Sequence, residues 1–251
     1  ALPLHGKTLA VTRPEERNAG LVDGLRALGA EVIAAPCIEL HEHGDTALLT
    51  GALEEKHDWA VFTSPAGVQA AVHALFRAGR DLRALYGMKC ACIGSATAEA
   101  LASCGISADL VPEAYDSEHL ADALCRKMQG GGAALLLRAA EGSRILPEKL
   151  KNSGICVTDV PLYDTVRCCA KADELRERIR NRALDGVTFT SASTVHSFAE
   201  AVGRENLRGF AALCIGPVTA EAAKSYEMKP FIAQEATETA LLALCKTVLE
   251  G

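Results

Sequence analysis

The chain has 251 residues, enough for about two domains at roughly 100–200 residues each. Hydrophobic residues make up 49% and charged residues 23%, a globular balance that excludes disorder as the main state. The net charge of −6 and an aromatic content of 4% argue against nucleic acid as a partner, because such surfaces need a basic stripe and stacking platforms.

No apolar run reaches the ~18 residues of a membrane helix. The start, Ala1-Leu2-Pro3-Leu4-His5-Gly6, lacks the basic and apolar regions of a signal peptide. A cytoplasmic, membrane-free protein is expected. The ten cysteines form no C-x-x-C pair and sit mostly in apolar runs, such as Met88-Lys89-Cys90-Ala91-Cys92-Ile93, so they read as reduced thiols packing as small hydrophobes. The seven histidines are scattered without ligand spacing, and no metal site is expected.

In chain order, Leu9-Ala10-Val11-Thr12 reads as a strand. Residues 15–28 follow as an amphipathic helix, with Ala19, Val22, Leu25 and Leu28 on one face and Gly29 at its end. The next strand covers 32–35 and is closed by Pro36. Further strands are predicted at 59–63, 90–93 and 109–111, and helices at 65–76, 95–104 and 117–128, the last starting beside Asp116. Gly130-Gly131-Gly132 is the clearest break.

After the glycines the pattern repeats. Arg13 and Arg138, each after an apolar strand, stand 125 positions apart. Gly29 and Gly154, and Pro36 and Pro161, keep the same offset. Phe62-Thr63-Ser64 returns as Phe189-Thr190-Ser191, and Gly94-Ser95-Ala96-Thr97 returns as Gly216-Pro217-Val218-Thr219. Landmarks in one order at near-constant offset indicate a duplicated α/β unit. Alternating strands and helices imply parallel sheets covered on both faces, in flavodoxin-like or Rossmann-like domains, with ligands beyond the carboxyl ends of the strands.

The repeated motifs lie at those ends. Ser64 and Ser191 suit helix N-capping, and the same helix starts can bind an anion. Gly94 and Gly216 would let a ligand approach the backbone. Neither copy is a dinucleotide or phosphate-loop motif, which disfavours a nucleotide-dependent enzyme. Tyr163 follows Pro161-Leu162, where the first repeat has no tyrosine; it reads either as packing or as a functional hydroxyl. Arg13 and Arg138 read either as ion-pair partners or as forks for a ligand carboxylate. No Ser/His/Asp or paired-carboxylate arrangement is recognisable. A non-catalytic two-lobed α/β small-molecule-binding protein is the alternative to an enzyme.

Together these motifs resemble uroporphyrinogen-III synthases. The matching residues are Val11-Thr12-Arg13-Pro14, Leu28-Gly29-Ala30-Glu31-Val32, Phe62-Thr63-Ser64-Pro65, Ile93-Gly94-Ser95-Ala96-Thr97-Ala98, Tyr163-Asp164-Thr165-Val166, Phe189-Thr190-Ser191 and Ile215-Gly216-Pro217-Val218-Thr219-Ala220. The resemblance covers nearly the whole chain and implies two α/β domains. Residues 1–36 with 168–251 would form the first and 42–160 the second, joined by linker strands at 37–41 and 161–167. It implies an active site in a cleft between them. The implied reaction is cyclisation of hydroxymethylbilane with inversion of its last ring and loss of water, as in heme biosynthesis, a lyase activity without cofactor or metal.

The resemblance makes Tyr163 the catalytic hydroxyl. It makes Ser64, Gly94, Ser95, Ala96, Thr97, Ser191, Gly216, Val218 and Thr219 substrate contacts, with Arg13 and Arg138 as further candidates. Val218 departs from the family's Gly-Pro-Thr-Thr run, which carries a hydroxyl there. A monomer is expected, receiving its substrate by transient handover from hydroxymethylbilane synthase.

Overall fold

The structure, a computed structural model, describes residues 2–129 and 131–250; Ala1, Gly130 and Gly251 lie outside them, and with Gly130 the first residue of the predicted glycine break. The chain opens with β1 (Thr8–Val11), a 3-10 turn at Glu15–Arg17, α1 (Ala19–Ala27) and β2 (Glu31–Ala34). The middle holds β3 (Ile38–Glu42), α2 (Ala47–Ala52), β4 (Trp59–Phe62), α3 (Pro65–Arg77), β5 (Lys89–Cys92) and α4 (Ser95–Ser103). It continues through α5 (Ser117–Met128), β6 (Ala133–Ala139), α6 (Ile145–Asn152) and β7 (Cys156–Arg167). The last third holds α7 (Ala172–Arg180), β8 (Gly186–Phe189), α8 (Ala192–Val202), β9 (Ala211–Cys214), α9 (Pro217–Ser225), β10 (Lys229–Ile232) and α10 (Glu238–Leu249).

Two compact units result, Ala1–Glu39 with Val166–Gly251 and Leu40–Thr165. The boundaries fall inside β3 and β7. These two strands neighbour each other in one sheet. Cys168 N–H donates to Cys37 O at 3.1 Å and His43 N–H to Leu162 O at 2.8 Å, so the two segments run in opposite directions.

The first unit has the sheet order β10-β9-β8-β1-β2, and its strand pairs are parallel. The second has β3-β7-β6-β4-β5, with β7, β6, β4 and β5 parallel. Strands β1, β4, β6, β8 and β9 are mostly apolar because both faces are covered, whereas β3 and β7 carry exposed polar residues. In β4, Trp59 and Val61 enter the core under α5 and α6, while Ala60 and Phe62 enter the core under α3 and α4. In β1, Leu9 and Val11 face the α1 and α10 core, and Ala10 the opposite one. This is the period of two that any strand imposes. Each fully buried Leu, Val or Phe contributes about 1.5–3 kcal/mol.

Three elements depart from the sequence reading. The helix predicted from Glu15 begins as a 3-10 turn, with Arg17 N–H to Pro14 O at 3.0 Å, and becomes α-helical only from Ala19. Buried Leu21, Val22 and Leu25 drive the later turns, whereas Glu15 is exposed and has no core to join. The strand predicted at 109–111 is a single bridge between Ala91 and Leu110. There Asp109 spends its carboxylate on Cys90 N–H at 2.7 Å, and Pro112 cannot extend the ladder. Pro161 does not close its strand, and β7 runs on to Arg167. A register shift pairs Arg138 with Pro161 and Ala139 with Tyr163, so the strand passes the proline at an irregularity.

Candidate functional site

Every residue singled out in the sequence lies at or near the carboxyl end of a strand. In the first unit, Arg13, Ser191 and the segment 216–219 follow the adjacent strands β1, β8 and β9. In the second, Tyr163, Arg138, Ser64 and the segment 94–97 belong to or follow the adjacent strands β7, β6, β4 and β5. Four helices therefore start where ligands bind in such sheets.

Ser64 caps α3, its Oγ accepting from Gly67 N–H at 2.9 Å, and Pro65 fills the first helical position. Ser191 caps α8 in the same manner, accepting from Thr194 N–H at 3.3 Å. Gly94 and Gly216 cap α4 and α9 with no side chain to offer. The first N–H groups of these two helices lack a side-chain acceptor at the cap. Thr97 and Thr219 stand in the first turns and are only 2% and 4% exposed. Ser95 is half-buried, Ala96 is exposed, and Val218 presents an open apolar side chain, 72% exposed.

The structure brings Ser64 and Tyr163 together. The Tyr163 ring is buried in the second unit's core, and its Oη lies 2.9 Å from Ser64 Oγ. Packing and a polar contact are thus both met by one residue. The two arginines are already engaged. Arg138 is buried and donates twice to Asp159, at 2.8 and 2.6 Å, and once to Ser143 O at 2.7 Å. A guanidinium held so ties the loop after β6 to β7, the ion-pair arrangement that is one of its two readings. Arg13 is half-buried and pairs with Glu238 at 2.6 Å.

The two cap glycines have different surroundings. A Cβ there would lie 2.8 Å from the Tyr115 ring, so the tyrosine already fills that space. At Gly216 a Cβ would meet nothing within 4 Å, and the space is open. Sequence reasoning missed Tyr115, Asp159 and Glu238. The 121-residue offset that links Asp116 to Thr237 sets Tyr115 against Ala236. The 125-residue offset sets Asp159 against Ala34. At both positions the two repeats differ in residue type, which is the signal the sequence carries.

Among the described residues no group of three His, Cys, Asp or Glu side chains could hold a metal ion. No described helix is long and apolar enough to cross a membrane.

A family model described as uroporphyrinogen-III synthase HemD matches residues 19–243. The porphyrin biosynthesis protein HemD of Ruminiclostridium josui is 35% identical over 237 residues, which are 94% of this chain. The chain spans only 47% of that protein's length. A putative uroporphyrinogen-III synthase of Methanothermobacter thermautotrophicus is 32% identical, over 84% of this chain and 86% of its own length. Among solved structures, a mutant uroporphyrinogen III synthase from the extremely thermophilic bacterium Thermus thermophilus superposes with a TM-score of 0.69 at 21% identity. That match covers 98% of this chain and 100% of the other, and shows a shared two-domain α/β fold. With a family match across most of the chain and relatives above 30% identity, the chain belongs to the uroporphyrinogen-III synthase family.

Proposed function

We propose that the chain closes hydroxymethylbilane into uroporphyrinogen III, as a lyase of the tetrapyrrole pathway. The family match over residues 19–243 carries this reading and favours it over a non-catalytic binding protein. The site chemistry agrees with it. The substrate hydroxymethyl group leaves as water to give an azafulvene. The last ring is attacked at its substituted carbon, forms a spiro intermediate, breaks away and rejoins inverted. The linear substrate also cyclises unaided, without inversion. The enzyme's task is therefore to hold one conformer, for which positioned donors matter more than a strong acid or base.

Tyr163 is the hydroxyl that assists departure of water. Ser64 Oγ already accepts from Gly67 N–H, so its own proton can go to Tyr163 Oη and leave the phenolic proton for the substrate. The start of α3 adds the positive end of a helix dipole beside any charge that develops on the phenol. The carboxylate arms of the substrate suit the first N–H groups of α4 and α9, with the Thr97 and Thr219 hydroxyls, Ser95, Ala96 and Gly216 beside them. Ser191 serves the same end at α8, and Val218 offers apolar contact in place of a hydroxyl.

The linker strands, 37–41 and 161–167, would join the domains 1–36 with 168–251 and 42–160. The boundaries inside β3 and β7 support this. A monomer is expected, because the duplication already supplies two α/β units. Hydroxymethylbilane cyclises on its own, so direct handover from hydroxymethylbilane synthase would protect it. Ten unpaired cysteines fit a reducing compartment such as the cytoplasm.

The test supplies freshly made hydroxymethylbilane and resolves the porphyrin isomers after oxidation. The type III isomer should exceed the spontaneous background. Only the symmetric isomer would overturn the reading.

A further inference from the structure

The ten cysteines are not chemically alike. Cys90, Cys92, Cys214 and Cys245 are core residues. Burial pushes Cys90 up to about 11, helped by Asp109, and pushes the other three up to about 12. These thiols stay protonated and pack. Cys37 and Cys169 sit differently. Cys37 follows β2, is fully buried, and anchors its N–H on Thr12 O at 3.0 Å. Cys169 lies 132 positions later, just beyond β7, and is half-buried. Their Sγ atoms are 3.7 Å apart, with the Cys37 thiol donating to the Cys169 sulfur. The Cys168 N–H bond to Cys37 O holds the two backbones side by side.

We propose that Cys37 and Cys169 form a redox-modification site, at which a hydroperoxide converts the thiol pair reversibly to a disulfide.

Each sulfur is set for one role. The hydrogen bond from Cys37 lowers the Cys169 thiol below its ordinary value; burial opposes this, and Lys171 N–H and the Arg176 charge assist. Cys37 is held far above its ordinary value by that same hydrogen bond, by burial, and by its sulfur neighbours. Cys168 stands beside them, but burial and the Glu39 carboxylate keep it protonated, and it donates to Pro36 O at 3.6 Å. Cys169, the more readily ionised and the more exposed of the two, is therefore the attacking sulfur. Its sulfur takes one oxygen of the hydroperoxide, the O–O bond breaks, and the other oxygen leaves as water or alcohol after gaining a proton. Cys37 then attacks the sulfenic sulfur. The S–S bond forms, the S–O bond breaks, and hydroxide leaves as water with the Cys37 proton. Two thiols are oxidised and one peroxide is reduced. The sulfurs must close from 3.7 Å to about 2 Å, which side-chain rotation at half-buried Cys169 supplies.

The disulfide would close a covalent ring over residues 37–169, which contains the whole Leu40–Thr165 unit. Both chain crossings would be pinned at their bases, and the unfolded chain would lose the freedom of a long loop.

The experiment treats the reduced full chain with hydrogen peroxide, alkylates the remaining thiols, and maps peptides without reduction. One cross-linked pair joining Cys37 to Cys169 is expected, together with an upward shift in Tm, both reversed by a thiol reductant. Cys168→Ser should retain the cross-link. Cys37→Ser should lose it and let dimedone trap a sulfenic acid on Cys169. If that buried replacement unfolds the protein, Cys169→Ser at the half-buried position should abolish both cross-link and Tm shift. Oxidation that joins Cys168 to Cys169, or that leaves Cys37 and Cys169 alkylated while exposed Cys156 reacts, overturns the proposal.

Discussion

The two units share a scaffold and differ at the carboxyl ends of their strands. In both, a serine caps the helix after one strand and a glycine caps the helix after the next. In the second unit that carboxyl edge is filled: Tyr115 covers Gly94, Tyr163 meets Ser64, and Arg138 is locked on Asp159. In the first unit Ala236 stands where Tyr115 would be, Ala34 where Asp159 would be, and Gly216 faces open space. Without a neighbouring carboxylate on β2, Arg13 reaches instead to Glu238 on α10. Duplication thus left one edge rigid, with the phenol, and one open, with Val218 exposed.

The comparison breaks most readily at Tyr163. Tyr163→Phe removes the hydroxyl but keeps the packing, and kcat for the asymmetric product should fall about 100-fold, as for loss of a general acid. Tm should change little, because Ser64 still caps α3. Near-normal turnover would show that the filled edge is only structural. Asp159→Ala tests the rigidity itself. It leaves the buried Arg138 charge without its carboxylate, and the second unit should lose about 2–3 kcal/mol in denaturant unfolding, less than a fully buried pair because Asp159 is a third exposed. An unchanged midpoint would mean that Ser143 O alone satisfies the guanidinium.

The two cap glycines sharpen the contrast further. Gly94→Ala drives a Cβ against the Tyr115 ring and should cost about 1–2 kcal/mol. Adding Tyr115→Ala should recover most of that loss, since the ring is the only obstacle of that closeness. Gly216→Ala should leave stability unchanged within about 0.5 kcal/mol, because its φ of −167° is extended backbone and nothing lies in the way. If substrate carboxylates approach that backbone, KM should rise for Gly216→Ala while Tm stays fixed. A Tm loss equal to that of Gly94→Ala would erase the distinction between the edges.

Much of the scaffold is legible in the chain. Alternating apolar runs, Gly29 and Gly154 at helix ends with φ of +97° and +81°, and repeated Phe-Thr-Ser motifs place strands, helix stops and caps. The carboxyl edge is less legible, for physical reasons. Whether an arginine is free depends on a partner from another strand or helix, and no local pattern ties Arg13 to Glu238, 225 positions away. Gly94 and Gly216 sit in the same backbone conformation, and only a side chain from the following loop separates a filled space from an open one. Pro161 reads as a strand end because a proline lacks the ladder donor, yet a register shift carries β7 past it. Aligning the repeats through their last helices, α5 and α10, would have exposed Tyr115 against Ala236.

The smallest expected difference lies in those last helices, which match in length but not in cap. Asp116 caps α5 through His119 N–H at 2.8 Å, and Thr237 caps α10 through Ala240 N–H at 3.1 Å. Alanine at either site should cost about 1 kcal/mol at neutral pH. Their pH responses should part. Partial burial opposes ionisation of Asp116, but the His119 N–H and ring outweigh it and hold the carboxyl below its ordinary value. A carboxyl depressed in the folded state contributes its stability above the unfolded pKa of about 3.9 and loses it as pH falls through the folded value. The deficit of Asp116→Ala should therefore shrink as the pH drops below about 4. The deficit of Thr237→Ala, a neutral cap, should stay constant over the same range. Urea midpoints of the two variants from neutral pH into acid, each set against the parent chain, make the measurement. Parallel curves would show that both caps act through geometry alone, and that the acidic one gains nothing from its charge.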